Sequence, residues 1–142
     1  MAEPGQIEIY LFFNGSCADA LEFYRDSLGG EITGVMYYKD LPEEARKDDP
    51  GEMSPEAILH ATYKLADTTI MASDNEKVTA GDNIALTWSH EDSEEVMRVW
   101  QAFVDAGSMV SVPINKSFFA PLFGSLIDPY GISWQIMQWV PL

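Results

Sequence analysis

The order of elements constrains this chain more than any single residue does: strand, helix and three further strands occur twice in succession. Residues 6–13 alternate as a strand, with Ile7, Ile9, Leu11 and Phe13 on one face and Glu8, Tyr10 and Phe12 on the other. Asn14-Gly15-Ser16 reads as a turn able to cap a helix over 17–28. Cys17, Ala20, Leu21, Tyr24 and Leu28 recur there at helical spacing, and Gly29-Gly30 ends the run. Strands follow at 31–38, 57–65 and 69–73, the last two joined by the turn Ala66-Asp67-Thr68. The second pass opens with a strand at 83–89. Asp92 and Glu95 then make a capping-box pattern before Val96, Met97, Trp100, Phe103 and Val104. Asp105-Ala106-Gly107 ends that helix, and strands are expected near 109–112, 118–127 and 132–139.

Most of these connections are too short for helical crossovers, which argues against an all-parallel sheet. The expected fold is α+β: two βαβββ modules, about 6–74 and 82–140, within one domain over 1–142. They would form a curved eight-stranded mixed sheet with the helices on its convex face. Residues 39–56 interrupt the pattern with Asp40, Glu43, Glu44, Asp48, Asp49, Glu52 and Glu56 among Pro42, Pro50 and Pro55. A helical turn around Glu43–Arg46 is expected there, in a segment that serves either as a lid or as a solvated loop.

Charge narrows the partners. Eight Lys and Arg face 23 Asp and Glu, a formal net charge of -15. Such a surface repels phosphate backbones and anionic membranes, so nucleic-acid binding is excluded. No apolar run approaches the roughly 20 residues of a membrane span, and the start of the chain lacks the basic and apolar regions of a signal peptide. The expected location is cytoplasmic. Cys17 is the single cysteine and lies on the apolar helical stripe, as a core residue would.

Several stretches resemble the vicinal-oxygen-chelate (glyoxalase/bleomycin resistance/dioxygenase) superfamily, and within it the PhnB-like branch. They are Leu11-Phe12-Phe13-Asn14-Gly15, Ala18 to Tyr24, Leu28-Gly29-Gly30-Glu31, His60-Ala61, Ile70 to Asp74, Phe118-Phe119-Ala120, Phe123-Gly124, and Asp128-Pro129-Tyr130-Gly131-Ile132-Ser133-Trp134-Gln135-Ile136. The last stretch is the most specific. The resemblance implies the duplicated fold and a homodimer. It leaves the reaction open, because one fold hosts many activities.

Superfamily enzymes hold a metal on the concave face. By position, the resemblance places Glu8, His60, Asn83 and Gln135 there. The strand alternation independently groups Glu8 with Tyr10 and Phe12, His60 with Ile58 and Thr62, and Gln135 with Ser133 and Met137. Glu8, His60 and Gln135 are the metal candidates. Glu and His are good donors, whereas Asn and Gln offer only neutral amide oxygens. No cofactor is therefore expected, with a divalent metal (Ni, Zn, Mn or Fe) as the alternative. Glu8 and His60 are the catalytic candidates, as an acid–base pair. Tyr10, Phe12, Asn83, Phe118, Gln135 and Met137 are the ligand-binding candidates. Phe12, Met36, Tyr37, Tyr38, Trp88, Phe118, Phe119 and Met137 are expected to be mostly core, some lining an apolar site. His90 is expected at the surface or in a cap. The function expected is binding of a small molecule in a concave cup. The alternative is a metal-dependent lyase, isomerase or dioxygenase.

Overall fold

The computed structural model describes residues 4–46 and 53–141. Lys47, Asp48, Asp49, Pro50 and Glu52 of the acidic connection lie outside the described residues. The chain forms two compact units, Met1–Val78 and Thr79–Leu142, each holding one four-stranded mixed sheet and a long helix. Eight strands in two such sheets, with the helices, make the α+β fold.

The first unit runs β1 (Ile9–Phe13), α1 (Cys17–Leu28), β2 (Glu31–Tyr37), a single 3-10 turn at Tyr38–Asp40, α2 (Glu43–Arg46), β3 (Ile58–Leu65) and β4 (Thr68–Asp74). Its sheet order is β1-β4-β3-β2, with β1 parallel to β4 and the other pairs antiparallel. The expected helical turn is present as α2. The first strand starts later than the alternation suggests, and Glu8 precedes it.

Cys17, Ala20, Leu21 and Tyr24 of α1 are buried, as are Phe13, Ala61, Tyr63, Ile70 and Ala72 from three strands. The start of α1 is held from a distance. Ser16 makes no side-chain cap. Instead the Cys17 N–H donates to Asp74 Oδ1 (2.9 Å), and the Ile58 N–H donates to Asp74 Oδ2 (2.9 Å). One buried carboxylate thereby ties α1, β3 and the end of β4 together. At the far end of α1, the Tyr63 hydroxyl donates to the Gly29 carbonyl, with the Tyr24 carbonyl at 3.3 Å as the longer branch of the same shared hydrogen. Gly30 is required there, because at φ 89° a Cβ would lie 2.5 Å from the Lys64 carbonyl oxygen.

Burial, and secondarily the Asp74 carboxylate, push the Cys17 thiol from 9.0 up to about 12. Burial alone pushes the Tyr63 phenol from 10.0 up to about 12. Both groups keep their protons in the fold at pH values where the unfolded chain has lost them. Their contribution is complete below pH 9.0 and is lost as pH rises from there toward about 12. The denaturation midpoint should therefore fall across that window. Cys17→Ala should remove the part that begins at the thiol's unfolded value, and Tyr63→Phe the part that begins at the phenol's. A midpoint flat across the window would contradict this account.

The second unit runs β5 (Leu86–His90), α3 (Ser93–Asp105), β6 (Met109–Asn115), β7 (Phe123–Ile127) and β8 (Ser133–Gln138), in the order β5-β8-β7-β6. Here β5 is parallel to β8 and the other pairs are antiparallel, so the unit repeats the first topology. Asp92 caps α3 by accepting from the Glu94 N–H (2.9 Å), while Glu95 pairs with Arg98 rather than completing a capping box. His90 Nδ1 accepts from the Asp92 N–H (3.0 Å), the cap role expected of it. Val96, Val99, Trp100 and Phe103 of α3 are buried, as are Leu126, Trp134 and Ile136 of the sheet.

Asp128, 4% exposed, has a structural task in the Asp-Pro-Tyr-Gly stretch. Its Oδ1 accepts from the N–H groups of Tyr130 and Ile132, and its Oδ2 accepts from the Trp134 indole, each at 2.9 Å. The aspartate shapes the β7–β8 turn and fixes the core indole together.

Candidate functional site

Each sheet has a face turned away from its helix, and most of the candidates lie on these faces. In the first unit, Tyr10 sits beside Met71 in the β1–β4 register, Met71 beside Thr62, and His60 beside Met36. Tyr10 and His60 stand two strands apart. Their side chains span β4 with 3.0 Å between the Tyr10 hydroxyl and His60 Nδ1. With the ring proton on Nε2, Tyr10 donates to Nδ1; in the other tautomer the imidazole donates to the phenol oxygen. The Phe12 ring stacks on Tyr10 at 4.9 Å and is 47% exposed. The three rings form a half-open patch with one polar edge, suited to a flat or apolar ligand that carries an oxygen.

Glu8 stands elsewhere in this arrangement. It precedes β1, is exposed, and accepts from Gln6 Nε2 at 2.7 Å. The hydrogen-bond partner that the structure gives His60 is Tyr10. The sequence carried that signal, because Tyr10 shares the alternation face of Glu8 and lies well inside the strand.

In the second unit, Thr87, Gln135 and Ser125 make one cross-strand row, and Ser89, Met137 and Phe123 the next. Thr87 Oγ1 donates to Gln135 Oε1 at 2.9 Å. That bond occupies one lone pair of the amide oxygen and leaves its NH2 group for a ligand acceptor. Asn83 lies three residues before β5, in an exposed bend rather than in the strand expected at 83–89. Phe118 also lies off the strands. It belongs to a turn in which Ser117 and Ala120 bond to each other through backbone and hydroxyl. Phe118 is fully exposed, meeting Phe119 edge-on at 5.1 Å, and Phe119 meets Phe123 at 5.0 Å.

Expecting Phe12, Met36, Phe118 and Phe119 to be mostly core is therefore corrected, since all four are exposed. They occupy open sheet faces and a turn, where a two-residue period cannot tell a covered face from an uncovered one. Cys17 is confirmed as core: it is fully buried, and its raised pKa makes it a poor nucleophile.

The donor chemistry fits a metal poorly. Among the described residues, no three His, Cys, Asp or Glu side chains come together in a way that could hold an ion. Glu8 and His60 bond to different neighbours, and Gln135 offers a neutral amide oxygen already bonded to Thr87. No described helix is long and apolar enough to cross a membrane.

Comparison with known proteins agrees with the topology. Residues 5–137 match the family described as 3-demethylubiquinone-9 3-methyltransferase. Protein YjdN of Escherichia coli K12 is 29% identical over 138 residues, spanning 89% of this chain and 90% of its own. Protein PA1353 of Pseudomonas aeruginosa superposes with a TM-score of 0.82 at 28% identity, covering 95% of this chain and 98% of its own. A PhnB protein of Bacillus cereus gives a TM-score of 0.80 at 25% identity, covering 95% of this chain and 100% of its own. The fosfomycin resistance protein FosX of Listeria monocytogenes, solved with Mn(II) and a dihydroxypropylphosphonic acid, shares the fold at a TM-score of 0.66 and 10% identity. With the duplicated topology and this match over nearly its whole length, the chain belongs to the PhnB-like 3-demethylubiquinone-9 3-methyltransferase family.

Proposed function

We propose that the protein binds a small, oxygen-bearing apolar or aromatic molecule, and that the Tyr10–His60 pair with the Phe12 ring is a principal part of its binding surface. The observation that carries this reading is the 3.0 Å contact between Tyr10 and His60 beneath a stacked, half-exposed phenylalanine on the open face of the first sheet. A hydrogen-bonding pair next to exposed aromatic area is how ligand sites combine orientation with affinity. Gln135, Met137 and Phe118 offer a comparable mixture on the second unit, with Asn83 in the bend before it. Within this site the pair placed for proton exchange is Tyr10 and His60, while Glu8 bonds to Gln6. No described arrangement of side chains singles out methyl transfer. The cytoplasmic homodimer expected from the sequence belongs to the same proposal.

Ligand-observed NMR with a panel of phenols, aryl ketones and their deoxygenated counterparts tests it, using wild type, Tyr10→Phe and His60→Ala. Oxygenated compounds should bind wild type and weaken roughly tenfold in each variant, the loss expected for one well-placed hydrogen bond. Equal binding to all three proteins would sink the reading. Thermal shifts with Ni, Zn, Mn and Fe(II) test the metal alternative. We expect no stabilisation that His60→Ala abolishes, and a stoichiometric, His60-dependent metal would reverse that conclusion.

A further inference from the structure

We infer that Asn14 is a conformationally guarded deamidation site, and that its conversion removes the side-chain ties between the β1–α1 turn and the segment that follows β4. Asn14 precedes Gly15, the neighbour that least hinders attack by its own backbone nitrogen. Both residues are exposed, and a Cβ built at Gly15 meets nothing within 4 Å. In the reaction the Gly15 nitrogen bonds to Asn14 Cγ, the bond from Cγ to Nδ2 breaks, and ammonia leaves. Water then opens the resulting succinimide at either carbonyl, leaving aspartate or isoaspartate. The net change is amide plus water to carboxylate plus ammonium, and no oxidant or cofactor is needed.

The fold opposes the first step. Asn14 Nδ2 donates to the carbonyl oxygens of Asn75 (2.9 Å) and Glu76 (2.7 Å), which occupies both amide hydrogens. Turning Cγ toward the Gly15 nitrogen requires the side chain to leave both acceptors. The reaction should therefore proceed through local opening of this turn. The product cannot close it again. A carboxylate has no hydrogen to donate and would face two carbonyl oxygens, in a chain whose net charge is already -15. Isoaspartate also adds a backbone carbon two residues before Ser16, the residue that precedes α1. The same amide that anchors the 75–76 segment to the β1–α1 turn is thus the group that is lost.

Peptide mapping by mass spectrometry, in mildly alkaline buffer, compares the folded protein, the protein in urea and a synthetic peptide spanning residues 11–19. Conversion at Asn14 should be roughly tenfold or more slower in the folded protein than in the peptide, and should recover the peptide's rate in urea. Asn14→Asp should lower Tm by about 3–6 °C, as loss of two anchoring hydrogen bonds implies. If that variant fails to fold, deamidated wild type separated by anion exchange provides the same comparison. Equal rates in folded protein and peptide would overturn the guard. A deamidated protein with wild-type Tm would overturn the anchor. No conversion in urea would overturn the site itself. None of these outcomes depends on ligand binding at Tyr10 and His60.

Discussion

Replacing Asp74 with alanine is expected to lower Tm by about 10–15 °C, a loss of roughly 3–5 kcal/mol. The side chain is 1% exposed, and its two oxygens each accept one backbone N–H, from Cys17 and from Ile58. Removing the carboxylate leaves both donors buried without an acceptor, and each orphaned group costs about 1–3 kcal/mol. Asp74→Asn should lose less, because one amide oxygen can still accept while the NH2 group meets the other donor. Calorimetric or denaturant unfolding of the two variants orders them. Thiol alkylation adds an independent reading, since Cys17 lies at the first turn of α1 and is fully buried. Loosening that turn in Asp74→Ala should raise its reactivity well above wild type. An alanine variant within about 1 kcal/mol of wild type would show that water or another group serves these N–H groups.

Gly124→Ala is the second large effect, expected at about 2–4 kcal/mol. The glycine lies in β7, where the indole of Trp100 from α3 rests on the bare backbone. A Cβ there would stand 2.7 and 2.8 Å from two indole carbons and 2.9 Å from the Ile114 Cα. One obstacle is side chain and the other is the neighbouring strand, so neither a rotamer change nor a small shift relieves both. In a Trp100→Leu background the indole contact is gone, and the added cost of Gly124→Ala should fall by about half. Full additivity of the two substitutions would mean that Ile114, not Trp100, sets the penalty. The Phe-Gly pair that helps relate this chain to its family therefore has a packing reason.

Much of the fold is legible along the sequence because the responsible forces act between near neighbours. The stripe of Cys17, Ala20, Leu21 and Tyr24 and the alternation of Ile58 to Leu65 follow from helical and strand periods alone. The Asp128 turn is also local, since its acceptors serve residues two to six positions on. Element ends were less legible. Glu8 and Asn83 look like strand residues by alternation, yet β1 starts at Ile9 and β5 at Leu86. A strand ends where its partner stops pairing, which local pattern does not encode.

The chain's own pattern carries the duplicated order of elements and the helix and strand faces that are buried in each unit. Tertiary structure decided which distant residues meet. Asp74 reaches the start of α1 across 57 positions and the start of β3 across 16, and Tyr10 reaches His60 across 50. Such contacts depend on strand order, with β4 inserted between β1 and β3, and on register to within one residue. A carboxylate or phenol reaching through space leaves no periodic trace in the chain. Its partner is set only when burial of the apolar faces has brought distant strands to within a few ångströms.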